Sequence, residues 1–473
     1  MSVAKQVAHN TMFQMIGKVI STFFGLAAVA MMTRYLGQEK FGWYITTVSF
    51  LSVIGILIDF GMTPVTAQML GENKFAKEKI FNNILTFRFL SALFFLSLAP
   101  LLALFFPYPN TVKVAIAFTA ISFLAISLNQ VFIGFLQEKL QMQIQALGEI
   151  IGRIVLVAGL FIAIYYQAQF LTIIWVIIAA SLVYTATLYL FIRKKTKLNF
   201  SFDKIIWREI IIKMWPIAVA IIFNVVYLKG DVLLLSYFNS QTEVGIYGAA
   251  YRVIDIVVQT AMMIMGVMLP LLANSWIQKN KEEFKQRYQV AFDAMMILAI
   301  PMFTGLFLLS HKIMVLVAGP EFYISGNALQ ILSLAILGVF WAGIFGHLVV
   351  AVNLQKEVLW VYISNAIITF AGYMIFIPKY GMYGAAWMTV FSEWYTAVMV
   401  TLVARKNVKD KIDYGFLRKV VLSSVVMGII IVWLMKLPVL VIIIISVLIY
   451  TIMLFATRAV SKNQLKDILS LKS

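Results

Sequence analysis

Residues 34–44 read RYLGQEKFGWY and join two long apolar runs near the start of the chain. Residues 237–247, YFNSQTEVGIY, repeat the central features of this stretch about 200 residues later. In both copies an acid precedes a Gly-x-Tyr turn, which begins at Gly42 in one and at Gly245 in the other. Turns repeated at one long spacing indicate a chain built by duplication.

A second pair of segments supports the duplication. Residues 136–139 read LQEK and residues 354–357 read LQKE, at nearly the same offset as the first pair. Membrane transporters are often built from such repeats and bind their substrates between the two halves. The repeats therefore favour a transporter.

Composition places the chain in a membrane. Hydrophobic residues make up 62% of the chain and charged residues only 12%, about half the charged fraction of a soluble domain. Apolar runs of the length that spans a bilayer, about 20 residues each, recur from end to end. The chain has no cysteine and three distant histidines, so we expect no disulfide, no metal site and no cofactor. The first apolar segment lacks a signal-peptide cleavage site and is expected to be a retained span.

The net charge of +18 is explained by its placement along the chain. Lys and Arg concentrate in alternate connections between the spans, such as 193–208, 279–287 and 405–419, whereas 107–113 and 378–381 carry few. The positive-inside rule then puts both termini in the cytoplasm, with the chain crossing the cell membrane many times. The net positive charge thus reflects the topology of the chain in the membrane. We expect the lipid bilayer as a partner and no nucleic acid.

The predicted fold is all-α, with about fourteen transmembrane helices. Spans one to six (residues 1–200) and seven to twelve (201–410) form two lobes, and residues 411–473 hold an appended pair of spans and a cytoplasmic tail. Both lobes begin in the cytoplasm, so the repeats run parallel. They are expected to be related by a pseudo-two-fold axis along the membrane normal.

Polar residues inside the spans are the candidate site residues, because charge is costly in hydrocarbon. Several lie at intervals that put them on one helix face. The candidates for substrate binding are Lys18, Arg88, Arg153, Asn224, Lys229, Arg252 and Gln259. The candidates for ion coupling or as counter-ions are Asp59, Glu149, Asp231, Asp255 and Glu393.

Structural roles, without any part in substrate binding, remain open for some of the cations. Lys18 and Arg88 lie within about two turns of the cytoplasmic end and could snorkel to the head groups. Arg153 could form a structural i, i+4 bridge with Glu149. Arg252 is the deepest of the cations relative to any free exit and is the favoured functional residue.

The acids and Lys229 also have alternatives. Lys229 and Asp231 could form an interfacial pair, and Asp59 could be a partner at a helix end. Glu393 lies mid-span without a close partner in sequence. It is therefore a candidate for coupling to protons or sodium ions.

The chain resembles a known family in its short motifs. These are Gly17-Lys18-Val19-Ile20-Ser21 in the first span, the stretch 33–44 that contains the first turn, Asp59-Phe60-Gly61, and 231–252 in the second half. They are similar to Wzx-type polysaccharide flippases of the multidrug/oligosaccharidyl-lipid/polysaccharide exporter superfamily. The resemblance covers the whole chain, including the number of spans.

The resemblance implies export of a polyprenyl-pyrophosphate-linked oligosaccharide to the outer leaflet, by alternating access through a cationic cavity. Arg252 matches an arginine of the related lipid II flippases, and Lys18 fits one of their first-span cations loosely. A further first-span arginine of those flippases is missing at 25–28, which favours another glycolipid. Polysaccharide polymerases and glycosyltransferases are the expected protein partners. Sodium ions, protons or the membrane potential could drive the export.

Two other functions compete with this interpretation. A multidrug cation antiporter of the same superfamily would need an acidic, aromatic cavity, whereas the spans here contain Arg153, Lys229 and Arg252. A membrane glycosyl polymerase would need a large outer loop with catalytic residues. The longest outer loop, 311–326, holds one acid, and no enzyme motif is present elsewhere.

Overall fold

The computed structural model describes residues 3–59, 62–72, 74–408 and 412–459. It does not describe the side chains of residues 3–12, 15, 63, 64, 67 and 216–228. The described residues are helices and their short connections, without a β-strand. The all-α prediction is therefore confirmed.

Thirteen α-helices follow one another along the described chain. Their bounds are α1 Val3–Asp59, α2 Met62–Gly71, α3 Lys77–Ala103, α4 Asn110–Glu138, α5 Met142–Tyr165, α6 Phe170–Ile192, α7 Lys204–Phe238, α8 Gln241–Ile277, α9 Lys281–Ala318, α10 Ser325–Ala351, α11 Gln355–Asn407, α12 Gly415–Trp433 and α13 Val439–Ala456. A short 3₁₀-helix, Pro320–Ile324, leads into α10.

Two of these helices are hairpins of two limbs each. Gly37 divides α1 at φ 67°, and Gly381 divides α11 at φ 56°. Positive φ is readily adopted only by glycine, so these residues let the chain reverse within a few atoms. Counting each limb separately and setting aside the ten-residue α2, the described helices give fourteen segments. Eleven of the described helices are long and apolar enough to cross a bilayer, and the chain is a multi-pass membrane protein.

The chain forms two compact units, residues 1–248 and 249–473. In the first unit α4 packs against α1, α3 and α6, and α5 packs against α1 and α6. α7 packs on α1 and α3, which explains why it belongs to this unit. The predicted lobe boundaries at residues 200 and 410 stay predictions.

In the second unit α10 is sandwiched between α9 and α11. The helices of the predicted appended pair, α12 and α13, pack on α9 and on each other. Val420, Ile431 and Ile442 are fully buried in that contact. Burial of these side chains fixes the last two helices to the unit.

The two Gly-x-Tyr segments are helical and not turns, since the chain reverses at Gly37 and α8 already begins at Gln241, and they meet inside the first unit. A Cβ atom at Gly42 would lie 1.7 Å from the backbone oxygen of Gln241, and one at Gly245 would lie 1.9 Å from that of Gln38. Thr46 adds a side-chain hydrogen bond to Gln241 at 2.6 Å. Both glycines are therefore required for a backbone-to-backbone contact between the start of α8 and the second limb of α1.

Candidate functional site

Polar residues of α1 and α5 form a cluster within the apolar first unit. The Ser21 hydroxyl donates to the Glu149 carboxylate at 2.6 Å, and the Lys18 ammonium lies 3.7 Å from the same oxygen. Arg153 follows one turn further along α5, beside Gly25 of α1. We call Lys18, Ser21, Gly25, Glu149 and Arg153 the α1–α5 cluster.

The cluster forms because both helices place polar or small residues at helical spacing. Lys18, Ser21 and Gly25 recur at intervals of three and four, as do Glu149 and Arg153, so each set shares one helix face. α1 and α5 pack closely along these faces, and a Cβ at Gly17 would lie 2.5 Å from Cβ of Ala146. The contact brings the two polar faces together.

Arg153 is the least constrained cation of the cluster. Its Nη1 atom lies 3.7 Å from the position of a Cβ on Gly25, so the missing side chain makes room for the guanidinium. The Arg153 side chain is partly buried, yet no hydrogen bond or ion pair joins it to another described residue. Glu149 forms its described ion pair with Lys18. The alternative of a bridge between Glu149 and Arg153 therefore does not describe the partner of Glu149 in the structure.

The electrostatics of the cluster favour an anion. Two cations face one carboxylate, which leaves a net positive charge in a segment of low dielectric. The Lys18 side chain is 41% exposed and that of Glu149 19%, so the cluster opens to one side of the helix pair. Gln145, one turn before Glu149, has a buried side-chain oxygen with no hydrogen-bond donor among the described residues. A guanidinium, an ammonium and amide groups together suit phosphate oxygens and sugar hydroxyls.

Arg88 occupies a different place, at the end of α1. It is 1% exposed, and its guanidinium donates to the Asp59 carboxylate at 2.7 Å and to the Ile58 carbonyl at 2.9 Å. Further hydrogen bonds reach the Ser127 carbonyl and the side chain of Gln130, both in α4. The last carbonyls of a helix have no partner within it, and a cation there is favourable. This arrangement supports the structural alternative for Arg88 and Asp59, and a substrate role for Arg88 stays a prediction.

The candidates on α8 form a separate pair. Nη1 of Arg252 lies 3.6 Å from a carboxylate oxygen of Asp255 three residues on, and each side chain is about a third exposed. Gln259 is partly buried one turn later. The sequence did not predict that Arg252 would pair with Asp255, although the i, i+3 spacing permits it.

The remaining candidates are spread along the chain. Asp231 is buried and accepts a hydrogen bond at 2.8 Å from the hydroxyl of Tyr247, the tyrosine of the second Gly-x-Tyr segment. Lys229 is partly buried nearby in α7. Glu393 packs against Gly338 of α10. A Cβ atom added to Gly338 would lie 3.2 Å from the Cβ atom of Glu393. Asn224 falls within 216–228, outside the described side chains.

The structure thus brings together Lys18, Glu149 and Arg153, joins Arg88 to Asp59, and joins Arg252 to Asp255. Sequence reasoning missed the parts played by Ser21 and Gly25. A signal for both was present, because they extend the polar face of Lys18 at helical spacing. It was overlooked because a serine and a glycine carry no charge.

Comparison with known proteins identifies relatives of the chain. The model of a family described as polysaccharide biosynthesis proteins matches residues 31–325. A curated relative, the probable low-salt glycan biosynthesis flippase Agl15 of Haloferax volcanii, is 26% identical over 199 residues. That match covers 42% of this chain and 42% of the relative, so it spans less than half the length of either.

Solved structures show the fold. The lipid II flippase MurJ in an inward closed conformation superposes with a TM-score of 0.79 at 17% identity, covering 93% of this chain and 97% of MurJ. An inward-facing multidrug resistance MATE transporter of the MOP superfamily gives a TM-score of 0.66 at 13% identity, covering 82% and 94%. The family match and the curated relative confirm the predicted resemblance to polysaccharide flippases, and the solved structures confirm the fold. The matches also agree with a transporter rather than an enzyme.

Proposed function

Because this chain belongs to the family of polysaccharide biosynthesis proteins, we propose that it is a flippase for a polyprenyl-pyrophosphate-linked oligosaccharide. It carries the head group from the cytoplasmic to the outer leaflet of the cell membrane. The curated flippase relative and the fold shared with MurJ support this proposal. The basic connections support an orientation with both termini in the cytoplasm.

One observation carries the chemistry: the side chain of Arg153 is partly buried and has no hydrogen-bond partner among the described residues. Burial of a charge is costly unless a partner compensates for it. A bound pyrophosphate supplies that partner, because the planar guanidinium can bind two of its oxygens at once. Lys18 adds a second positive charge, and Glu149 positions Lys18 and Ser21.

The sugar head group needs polar surface along its path. Hydroxyl groups and a pyrophosphate cannot enter hydrocarbon without hydrogen-bond partners. Glutamines and serines of the α1–α5 face supply donors and acceptors within the first unit. Access that alternates between the two sides of the membrane then lets the isoprenoid chain stay in lipid while the head group crosses. Glycosyltransferases would supply the substrate, and a polymerase would use it.

The membrane potential can drive this transport. Moving about two negative charges outward across 100 mV, negative inside, yields roughly 5 kcal/mol at about 2.3 kcal/mol per charge. Glu393 and Asp255 are the acids we propose to test for added coupling to protons or sodium ions. A flux that ignores an imposed potential would point to compensating ion movement through one of them.

The test is substitution of Arg153 in proteoliposomes that contain the lipid-linked oligosaccharide. Arg153→Ala should lower flipping at least about tenfold, since a hydrogen bond to a charged group contributes about 1.5–3 kcal/mol. Arg153→Lys should retain part of the activity, because an ammonium pairs with phosphate but cannot bind it in bidentate fashion. Arg193→Ala is the control, because Arg193 is an exposed cation at the end of α6. Full flipping by Arg153→Ala at wild-type abundance would refute the assignment of the site.

A further inference from the structure

The hairpin α11 carries an apolar groove on the half of its length that is next to Gly381. The first limb contributes Ile368, Phe376 and Tyr380, and the second contributes Tyr383, Trp387 and Phe391. The groove has a volume of about 720 Å³, and its wall is almost entirely apolar. All six side chains are between a third and two thirds exposed. We call this feature the α11 groove.

Two glycines form the floor of the α11 groove. A Cβ at Gly372 would lie 2.2 Å from Cε of Met388, and one at Gly384 would lie 2.3 Å from the backbone oxygen of Phe376. The limbs therefore approach each other closely at both positions, and the large aromatic side chains stand out on either side. The depth of the groove follows from the absence of side chains at these two sites.

The length of the α11 groove matches one leaflet of a bilayer. From Ile368 to Tyr380 the first limb rises about 18 Å, at 1.5 Å per residue. Half of a hydrocarbon core about 30 Å thick is about 15 Å. The groove ends at the tip of the hairpin, beside Gly381, which is at the outer surface in the predicted topology. It therefore runs from head-group level to about the middle of the bilayer.

The tip end of the α11 groove is polar and basic, in contrast to its walls. The hydroxyl of Tyr383 accepts a hydrogen bond at 3.2 Å from the amide nitrogen of Asn327. The amide oxygen of Asn327 lies 2.9 Å from Nε2 of His311, which donates to it. Lys379 is exposed next to Tyr380 and takes part in no ion pair among the described residues. One end thus suits a charged, hydroxyl-rich head group, and the remainder suits a hydrocarbon chain.

We propose that the α11 groove binds the isoprenoid chain of the lipid-linked glycan in the outer leaflet, with Lys379 pairing with its phosphate. The proposal rests on the proposed function and adds to it a binding site for the lipid part of the substrate. A groove between only two helix limbs accommodates one chain, whereas a glycerophospholipid brings two chains to one phosphate. Tyr383, Asn327 and His311 form a hydrogen-bonded group at the tip end of the groove, where they can hydrogen-bond the first sugars.

The experiment is photo-crosslinking of the purified full-length chain in nanodiscs with a diazirine-labelled polyprenyl phosphate. The crosslinks should map to residues 368–391, and unlabelled polyprenyl phosphate should compete better than an equal amount of phosphatidylglycerol. Ile368→Trp fills the inner end of the α11 groove and should lower the yield about tenfold, equivalent to about two methylene groups removed from an apolar site. The neighbouring Ile367→Trp is the matched control, because Ile367 is exposed but does not line the groove.

The charge at the tip is tested separately. Lys379→Gln should weaken crosslinking of the polyprenyl phosphate about fivefold, the effect of about 1 kcal/mol for one lysine near a membrane surface. It should leave crosslinking of uncharged polyprenol unchanged. Lys436→Gln is the control, since Lys436 is an exposed lysine in the connection between α12 and α13.

The proposal is overturned if phosphatidylglycerol competes as well as polyprenyl phosphate, or if Ile367→Trp and Ile368→Trp behave alike. The assay measures binding without transport, so its result is independent of flipping. Arg153→Ala should lower flipping at least about tenfold and leave these crosslinks intact. If Ile368→Trp shows normal flipping and normal crosslinking, the proposal for the α11 groove is refuted and the proposed function is not. If Ile368→Trp and Arg153→Ala both lose flipping while wild type gives specific crosslinks, both sites are supported.

Discussion

At the residue scale, the charged side chains within the spans differ in the hydrogen-bond partners that surround them. Arg88 has its donors engaged by Asp59, Ile58 and α4, whereas Arg153 faces Gly25 without a described hydrogen bond. The two arginines are alike in sequence, each in a long apolar run. Only their neighbours separate a cation that is bonded to a helix end from one that has no hydrogen bond to a described residue.

We expect Arg88→Ala to destabilise the protein by on the order of 3 kcal/mol, because it leaves the Asp59 carboxylate without its buried partner. Thermal unfolding in detergent, followed by size-exclusion chromatography, would measure the loss. In the double variant with Asp59→Ala the loss should be smaller than the sum of the two single losses. Unchanged stability of Arg88→Ala with lost flipping would instead support the predicted substrate role.

At the element scale, the repeated Gly-x-Tyr segments form a contact between helices. Gly42 and Gly245 let the backbones of α1 and α8 touch, and Tyr247 of the same segment donates to Asp231 of α7. These contacts hold α1, α7 and the start of α8 together at the end of the helices where these segments lie. In the predicted topology this end of the helices lies at the outer surface.

A methyl group at either glycine should disrupt the contact. We expect Gly42→Ala and Gly245→Ala each to cost about 3 kcal/mol, since a backbone atom lies within 2 Å of the new Cβ. Gly266→Ala on α8 is the matched control, because no atom outside its own helix lies within 4 Å of its Cβ position. It should be neutral or slightly stabilising in the same unfolding measurement. Equal behaviour of all three variants would contradict the close approach.

The linker before α7 shows a second role of local chemistry. Asn82, Asn83 and Thr86 of α3 hydrogen-bond the backbone of residues 197–203. The linker ends at Asp203, whose carboxylate accepts from the backbone N–H of Ile205 and Ile206 and caps α7. The extended linker is therefore held along α3, and α7 begins at a fixed place.

The cap of α7 should respond to pH. The hydrogen bond from Lys79, followed by the bond from the Ile205 N–H, holds the pKa of Asp203 below its usual value. A carboxylate with a lowered pKa stabilises the fold above its unfolded pKa of about 3.9, and the contribution is lost as pH falls through the folded pKa. Asp203→Asn should thus unfold at a lower temperature than wild type at pH 7. The difference should shrink below about pH 4. A difference that is constant down to pH 3 would contradict this account.

At the scale of the whole molecule, orientation in the membrane is the property most open to a direct test. The chain lacks cysteine, so single cysteines can be introduced without removing others. Lys194→Cys, in the basic linker, should react with an impermeant maleimide only after the cells are permeabilised. Lys379→Cys, at the tip of α11, should react in intact cells. The reverse pattern would invert the topology and place the α11 groove in the cytoplasmic leaflet.

The sequence by itself determined the class, the spans and the family of this protein. Long apolar runs admit only helices in a bilayer, because every backbone polar group must find a partner within its own segment. The stretch 34–44 between two apolar runs and the short connection 378–381 also marked where the chain reverses, although the structure showed that Gly37 and Gly381 are the residues that do it. The spacing of Glu149 and Arg153 also predicted that these two side chains share one face of their helix.

Only the tertiary structure decided what those faces meet. Packing of α1 on α5 joined Ser21 and Gly25 to the candidate charges, and it assigned Glu149 to Lys18 rather than to Arg153. The pairing of Arg88 with Asp59 and the α11 groove likewise depend on helices that are distant in sequence or folded back on themselves. Helical spacing fixes the direction of a side chain on its own helix. The partner of that side chain depends on which helices pack together, and one helix alone does not contain this information.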